Sequence, residues 1–320
     1  KGLTVTHYLK LDGTLDLEGE SQLIQTTGSD LDPTSDGSLE RDQQGTSDTY
    51  SYNVWSSPVG LVNTSTINQG HSISTIMNDG TDPNSPAAMT FATGYNGAPT
   101  SPVTISDFWL FTYRNNLANT YSAWEHIGNA GNLVAGDGFT MKGPGTGAVP
   151  DPQNYTFIGK PNNGTTAQPI NKTINAGNQY LVGNPFPSAI DANTFINDNP
   201  HLTGTLLFWE HWGGGSHYLS DYQAGYALYT LSGGTPAVSH PAVSQTGSGT
   251  KTPTRFIAVG QGFFVEAVST GTTTFNNTQR AFAKENTSST FFFNSDQEED
   301  TDDSNIEDAV VQEEEENSEK

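Results

Sequence analysis

The chain has 320 residues, with 12 Lys and Arg against 35 Asp and Glu, and a formal charge of −23. So acidic a chain repels phosphate, which excludes nucleic-acid binding through a basic surface. Charged residues make up only 15% and no Cys is present, so disulfides, a thiol nucleophile and Cys-based metal sites are ruled out. Polar character comes instead from Thr, Ser, Asn and Gly, a composition that indicates a β-rich extracellular protein. No apolar run reaches about 18 residues, so no membrane-spanning segment is predicted.

Residues 1–48 contain short alternating stretches separated by Gly, for example residues 9–17 and 21–25. Period-two alternation over so few residues predicts short strands. Repeated short strand–turn units are typical of a β-solenoid. We therefore expect a β-solenoid-like cap, or the end of a longer repetitive β region that belongs to a larger polypeptide. A β-meander that belongs to the next domain fits the pattern equally well.

The middle of the chain contains a weak internal duplication, with similar markers in the same order twice. The marker pairs are Pro58 and Pro185, Phe108 and Phe208, and Gly136 and Gly260. Their offsets of 127, 100 and 124 residues differ, so loops of unequal length would have to compensate. The duplication predicts two tandem β-sandwich or jelly-roll-like units, at residues 49–165 and 166–284.

Turn-forming Gly, Pro, Asn and Asp separate the apolar stretches throughout both units, and helical periodicity is nearly absent. The one predicted helix covers residues 188–196, where Ile190, Phe195 and Ile196 share a face. Many short strands separated by turns predict an all-β fold.

The C-terminal region, residues 285–320, is predicted to be a disordered acidic linker. Residues 296–320 contain 13 of the 35 acidic residues, and such a tract cannot bury enough apolar surface to fold. A calcium-collecting or partner-binding tail is the functional alternative.

Several ordered motifs carry a family resemblance over residues 1–285: DQQGT at 42–46, YNVWSSPVG at 52–60, GNPFPSAID at 183–191, GQGFFV at 260–265 and FNNTQR at 275–280. With these motifs the chain resembles large surface proteins of Bacteroidota that are exported by the type IX secretion system. The resemblance implies an adhesin-like region between a repetitive β portion and a C-terminal sorting domain, through which the secretion machinery would act. That sorting domain is absent from the printed sequence, and the resemblance supplies no catalytic residues.

The pattern Trp209-Glu210-His211-Trp212 places a carboxylate beside an imidazole. Such a pair suits general acid–base chemistry or metal binding. In a strand, however, neighbouring side chains point to opposite faces. The alternative is a strand at the rim of the core, with Glu210 and His211 facing solvent.

Aromatic residues around the Gly-rich loop at 213–215 are candidates for stacking on sugar rings, because an indole or phenol offers a flat apolar face. The candidates are Trp209, Trp212, Tyr218 and Tyr222. Large aromatic residues near strand ends also fill sandwich cores, which is the structural alternative.

Two loops offer the oxygen ligands that calcium prefers. Asp30, Asp32 and Asp36 lie in the first, and Asn78, Asp79 and Asp82 in the second. Neither has EF-hand spacing. Side chains that bond their own backbone in Asx turns explain the same residues. No other cofactor is predicted.

Together these patterns predict a non-enzymatic structural or adhesive module of a secreted or cell-surface bacterial protein. Its expected partners are surface glycans or other cell-surface proteins. No Gly-x-Ser-x-Gly or phosphate-loop motif occurs. The alternatives are a carbohydrate-binding accessory module of a polysaccharide-processing protein, and a subunit of a self-assembling surface filament that pairs through open β edges.

Overall fold

The fold is all-β, as predicted: strands make up 43% of the structure and helices 8%. A computed structural model describes residues 1–145, 147–149 and 151–285. The predicted acidic linker at 285–320 lies outside the described residues, apart from Glu285. Within the described part of the chain, no helix has the length and apolar character needed to cross a membrane.

Residues 1–46 make two stacked turns of chain, each with three strands. The strands are β1 (Gly2–Val5), β2 (Tyr8–Leu9), β3 (Thr14–Leu17), β4 (Gln22–Gln25), β5 (Asp30–Leu31) and β6 (Ser38–Thr46). Strand β1 pairs with β4, β2 with β5 and β3 with β6, each in parallel. A meander would pair consecutive strands antiparallel, so residues 1–46 do not form one.

Strand β6 pairs with β3 only as far as Arg41 and extends beyond the stacked turns to Thr46. The next elements are β7 (Tyr52–Trp55), β8 (Val59–Gly60), α1 (Ile73–Ile76), β9 (Met77–Asp79), β10 (Ala87–Ala88), β11 (Thr90–Ala92), β12 (Thr104–Ser106), β13 (Phe111–Thr112), β14 (Asn116–Leu117), β15 (Glu125–His126), β16 (Phe139–Lys142) and β17 (Pro152–Pro161). Strand β17 pairs antiparallel with β6 from Pro152 opposite Thr46 to Gly159 opposite Leu39. This long ladder crosses the predicted boundary at residues 48 and 49.

The remaining elements are β18 (Ile170–Ile174), β19 (Asn178–Gly183), β20 (Ala189–Asp191), α2 (Ala192–Asp198), β21 (Leu206–Gly213), β22 (Gln223–Thr230), β23 (Gly233–Ser239), β24 (Phe256–Ile257), β25 (Gly262–Glu266), β26 (Gly271–Phe275) and β27 (Arg280–Ala281). Three sheets organise most strands, in the orders β10-β9-β17-β6-β3, β15-β13-β16-β7 and β14-β19-β25-β21-β22-β23. Strand β14 precedes residue 166 but joins the third sheet, which otherwise contains later strands.

The predicted helix at residues 188–196 begins later than expected. Residues Ala189–Asp191 form β20, which pairs with β24 and β27. The Asp191 carboxylate then caps α2 by accepting hydrogen bonds from the backbone N–H groups of Asn193 and Thr194. Strand pairing therefore takes the first residues of the apolar pattern, and the cap fixes where the helix starts.

The sequence duplication has a structural counterpart in two sheets. Strands β7, β16 and β13 lie side by side in one, and β19, β25 and β21 in the other. Phe139 faces Trp55 in the first, and Phe263 faces Val182 in the second, which matches the sequence offsets of 124 and 127. The pair Phe108 and Phe208 is wrong, because Phe108 lies in a 3-10 helix and Phe208 in β21.

The two duplicated segments contact each other reciprocally. Trp55 of the first segment forms an antiparallel β-bridge with Gln261 of the second. Val182, the equivalent of Trp55, forms the same kind of bridge with Asp137, the equivalent of Gln261. The backbone N–H of Ser56 donates to Gly260 O over 2.7 Å, and that of Gly183 to Gly136 O over 3.2 Å. The exchange of equivalent positions relates the two segments by an approximate two-fold axis.

Two large hydrophobic clusters lie on either side of this contact. One contains residues from Leu17 to Phe157 together with Ala258, so the stacked N-terminal turns share it. The other contains residues from Ile170 to Phe275 together with Ala135. The predicted division into domains remains a prediction.

Candidate functional site

A buried lysine lies among aromatic rings where the two duplicated segments meet. The Lys142 Nζ lies 3.9 Å from the ring centre of Trp109, 4.6 Å from that of Tyr52 and 4.8 Å from that of Tyr222. His217 stacks on Trp109 with centroids 5.0 Å apart. We call Lys142 with Tyr52, Trp109, His217 and Tyr222 the lysine cage. Ring faces carry negative charge and attract an ammonium group.

Hydrogen bonds fix the orientation of each polar group in the lysine cage. The Lys142 Nζ donates to the Tyr222 hydroxyl over 2.7 Å and lies 3.1 Å from His217 Nδ1. His217 Nε2 lies 2.6 Å from Asn96 Oδ1. Because Nδ1 faces a donor and Nε2 an acceptor, the proton of neutral His217 belongs on Nε2. Tyr222 in turn donates to the backbone carbonyl of His217.

Burial dominates the protonation of Lys142, which is 1% exposed. It lowers the pKa of Lys142 to about 7, and the charge of Asp48 opposes that shift. Burial and the Lys142 charge lower the pKa of His217 to about 4. A lysine with a pKa near neutrality suits amine chemistry. This lysine is closed to a substrate, however, so its packing and hydrogen bonds act within the fold.

Further rings extend from the lysine cage to the surface. Tyr95 lies edge-on to Phe108, with centroids 4.7 Å apart, and Phe108 contacts Trp109 at 4.6 Å. Tyr50 contacts His217 at 4.8 Å. We call Tyr50, Tyr95 and Phe108 the aromatic rim. Tyr95 is 58% exposed and Phe108 is 39% exposed, so the rim presents apolar rings to solvent above the packed rings of the lysine cage.

Elements from both duplicated segments position these rings. Lys142 ends β16, and Tyr52 begins β7, which pairs with β16 in register. Phe108 and Trp109 come from the 3-10 helix Asp107–Trp109. Tyr222 follows the 3-10 helix Leu219–Asp221, after a loop in which Gly214 adopts a φ of 123°. Only glycine takes that backbone conformation readily, which explains the Gly-rich sequence.

The four predicted sugar-stacking residues do not form one exposed platform. Tyr222 is buried in the lysine cage, and Trp209 packs against Tyr226 with ring centres 5.0 Å apart. Trp212 packs beside the second large cluster, and its Nε1 donates to Thr246 O. Tyr218 alone is widely exposed among the four. Sugar stacking by these residues remains a prediction.

Glu210 and His211 are both buried, so the expectation that they face solvent is wrong. His211 accepts a hydrogen bond from Tyr52 N on Nδ1, and its Nε2 lies 2.8 Å from Gly213 O. Burial lowers the pKa of His211 to about 3, which keeps it neutral. Glu210 Oε1 accepts from the backbone N–H groups of Thr250 and Lys251. The two side chains therefore tie separate parts of the backbone together.

A small cavity of about 50 Å³ lies beside these residues. Its lining includes Tyr52, Trp209, Glu210, His211 and Gln261. Three polar atoms of the lining, Trp209 Nε1, Glu210 Oε2 and Gln261 Oε1, have no hydrogen-bond partner among the described residues. The cavity is large enough for water but not for a sugar ring.

Three of the aspartates predicted to bind calcium accept hydrogen bonds from the backbone. Asp32 accepts from Thr34 N over 2.8 Å and from the Tyr8 hydroxyl, and the Tyr8 and Thr34 bonds lower its pKa to about 2. Asp79 accepts from Thr81 N and Val103 N, and Asp82 from Asn84 N. Asp30 lies exposed at the start of β5. No group of three or more metal-ligating side chains occurs within residues 1–145, 147–149 and 151–285. Calcium binding remains a prediction.

Comparison with known proteins identifies a family. A family model described as a domain of unknown function, DUF8693, matches residues 84–311, more than half of the chain. The chain belongs to the DUF8693 family. No curated protein and no solved structure matches it. The DUF8693 region includes Tyr95, Phe108, Trp109, Lys142 and the later cage residues. The stacked N-terminal turns and β7 lie outside it.

Lys142 and the aromatic rim were not among the site residues predicted from the sequence. The available signal was a lone basic residue at the end of the apolar stretch Phe139-Thr140-Met141 in a chain with few Lys and Arg. Its ring partners come from positions 52, 109 and 222, and no sequence spacing connects them.

Proposed function

We propose that the chain is a non-enzymatic structural and adhesive module of a secreted or cell-surface bacterial protein. The observation that carries the proposal is the aromatic rim. Tyr95 and Phe108 expose apolar rings on top of the lysine cage, which both duplicated segments build. Exposed aromatic residues on a rigid base are a common basis for recognition, because little conformational entropy is lost on binding.

The environment of the buried polar groups supports a non-enzymatic role. His211 is neutral with both ring nitrogens hydrogen-bonded, and Glu210 accepts bonds from two backbone amides. Lys142 is closed to substrates. These are the residues a general acid–base or nucleophilic mechanism would need to present to a ligand.

The finer architecture belongs to the same proposal. Three parallel strand pairs in successive turns support a β-solenoid end at residues 1–48. The repeated three-strand order supports two tandem sandwich-like units after it. A stalk that ends in paired units which present aromatic rings fits the resemblance to exported surface proteins of Bacteroidota.

Adhesion of protein-coated beads tests the proposal. Beads coated with the full chain are counted on immobilised mucin, on deglycosylated mucin and on an array of oligosaccharides. The double variant Tyr95→Ala, Phe108→Ala removes the exposed rings and is expected to reduce adhesion about tenfold, the effect of losing roughly 1.4 kcal/mol of contact energy. Tyr8→Ala is the matched control, since Tyr8 is 59% exposed and lies outside the rim.

Three results would contradict the proposal: no adhesion to any surface, equal adhesion of the double variant and the wild type, or shortened oligosaccharides in mass spectra after incubation. The last would indicate an enzyme.

Carbohydrate binding is the second candidate, favoured by the exposed Tyr218 next to His217, close to the aromatic rim. Aromatic faces flanked by hydrogen-bonding groups suit pyranose rings. In this case the beads adhere to the oligosaccharide array and to intact mucin, lose adhesion to deglycosylated mucin, and respond to Tyr218→Ala.

A further inference from the structure

The outer of the two stacked N-terminal turns has an open edge along its whole length. Strands β1, β2 and β3 each pair with one neighbour in the second turn. No described residue pairs with their other edge. Unpaired strand edges expose backbone N–H and C=O groups that bind another strand readily. The three edges belong to one turn, so they point in the same direction along the stack.

Leucines mark the same end of the stack. Parallel pairing places Leu3 beside Leu23, Leu9 beside Leu31 and Leu15 beside Leu39. The second-turn leucines are fully buried, with Leu23 at 0% exposure, whereas Leu3 is 45% exposed and Leu9 and Leu15 are only partly buried. Three leucine columns therefore run through the stack and end uncovered at the outer turn.

The corners of the two turns differ in the same way. Gly37 lies so close under the outer turn that an added Cβ would fall 2.2 Å from Gly13 O. A Cβ added to Gly13, at the equivalent corner of the outer turn, would contact nothing. The space above Gly13 is open, as the space above Gly37 would be without the outer turn.

We propose that the free edges of β1, β2 and β3 are a docking surface for one further three-strand turn of the same kind. It adds in parallel, continues the hydrogen-bonded ladders and covers Leu3, Leu9 and Leu15 with aliphatic side chains of its own. The surface continues an interface already present in the molecule, the one between the first and second turns. The inference rests on the structural part of the proposed function, but not on adhesion through the aromatic rim.

A duplication of the outer turn tests the proposal in the full chain. Residues 1–20 are repeated ahead of Lys1, so that residues 18–20 and Lys1 make a four-residue connection to β1. Residues 18–21 make a connection of the same length between β3 and β4. The added copy carries Asp16→Thr, because the register already places Asp16 beside Glu40.

The measurement is hydrogen exchange, monitored by mass spectrometry, at those β1, β2 and β3 amides that face the open edge and donate no hydrogen bond to the second turn. A docked turn pairs these amides, so their exchange is expected to slow at least about tenfold relative to the original chain. The matched control carries Leu3→Asp, Leu9→Asp and Leu15→Asp in the added copy only, and its exchange rates should equal those of the original chain.

Equal exchange rates in the duplicated and original chains would overturn the proposal, as would equal protection by the leucine and aspartate copies. Sedimentation of the original chain supplies a further test. If it forms dimers or filaments in which these amides are already protected, a second copy occupies the edge and the proposal is wrong. Loss of bead adhesion on Tyr95→Ala, Phe108→Ala is unaffected by any of these results, so the two proposals fail separately.

Discussion

Asp137 and Gln261 occupy equivalent positions in the two duplicated segments and make equivalent backbone contacts, yet their side chains have opposite surroundings. Both are buried, at 2% and 4% exposure. Asp137 is surrounded by charged and polar partners, whereas Gln261 borders a small cavity. The two positions therefore share the reciprocal backbone contact between the segments and differ only in what their side chains add to its stability.

The Asp137 side is an ion cluster. Its carboxylate accepts from Lys172 Nζ and from the Tyr180 hydroxyl on Oδ1, and from Arg114 and Val134 N on Oδ2. Burial alone would favour the neutral acid, but Lys172 and Arg114 outweigh it and lower the pKa of Asp137. The cluster joins β18 and β19 to the loop before β16.

The Gln261 side relies on the backbone. Next to Gln261, the Gly260 O accepts from Ser56 N of the other segment over 2.7 Å, whereas Gln261 Oε1 has no hydrogen-bond partner among the described residues. The approximate symmetry is thus kept in the main chain and lost in the side chains. We infer that the reciprocal backbone contact holds the two segments together and that the ion cluster reinforces only one side of it.

The largest expected effect comes from Asp137→Ala. It leaves the buried Lys172 without its carboxylate and removes one of the two acidic partners of Arg114. Breaking a buried pair in this way costs about 3–5 kcal/mol. Urea unfolding followed by tryptophan fluorescence measures the loss in the free energy of unfolding.

Asp12→Ala is the matched control, because Asp12 forms an ion pair with Lys10 in which both side chains are about half exposed. Its cost should stay below about 1 kcal/mol. Similar costs for the two variants would show that the ion cluster does not reinforce the contact.

Lys142 extends the comparison, since it is buried like Lys172 but faces rings instead of a carboxylate. Its pKa is about 7 in the folded chain and 10.5 in the unfolded chain. Between these values the unfolded chain binds more protons, so the wild type gains stability as pH rises. Relative to Lys142→Met, its free energy of unfolding should rise by about 3.5 kcal/mol between pH 7 and pH 10.

The measurement is urea unfolding of both proteins at each pH unit. Lys10→Met provides the control, because Lys10 is exposed and its effect should stay nearly constant over the same range. A flat difference for Lys142→Met would mean that Lys142 stays charged in the lysine cage.

Local sequence patterns predicted those parts of the fold that depend on neighbouring residues. Alternation at residues 9–17 and 21–25 indicated short strands, and the offsets of 127 and 124 anticipated the equivalent registers around Trp55 and Val182. The Phe108–Phe208 pair failed because ring type alone does not distinguish a 3-10 helix from a strand. The reciprocal backbone contact between the two duplicated segments joins residues far apart in sequence, so no local pattern predicts it.

The candidate site was harder to predict for the same reason. The Gly-rich loop at 213–215 suggested Tyr218 and Tyr222 as one sugar-stacking surface, but Tyr218 is exposed whereas Tyr222 is buried. The sequence suggested that Glu210 and His211 form an acid–base or metal-binding pair or face solvent. Both are buried, and the register of β21 shifts between His211 and Gly213. Lys142 meets Trp109 and Tyr222 only after both segments fold.

The smallest expected effect, and the sharpest test of the comparison, is Gln261→Ala. The substitution removes an acceptor that has no described partner and leaves the Ser56 N to Gly260 O bond across the contact intact, so little hydrogen-bond energy is lost. Because Gln261 already borders a cavity, its truncation loses fewer packing contacts than that of a fully packed side chain, and the cost by urea unfolding should stay below about 1.5 kcal/mol. If Gln261→Ala instead costs as much as Asp137→Ala, the Gln261 side chain reinforces the contact as strongly as the ion cluster does. The inference that only the Asp137 side is reinforced by side chains would then be wrong. If Gln261→Ala lowers the free energy of unfolding only slightly and Asp137→Ala lowers it strongly, the backbone contact forms on both sides without an ion cluster, and the ion cluster adds stability on the Asp137 side alone.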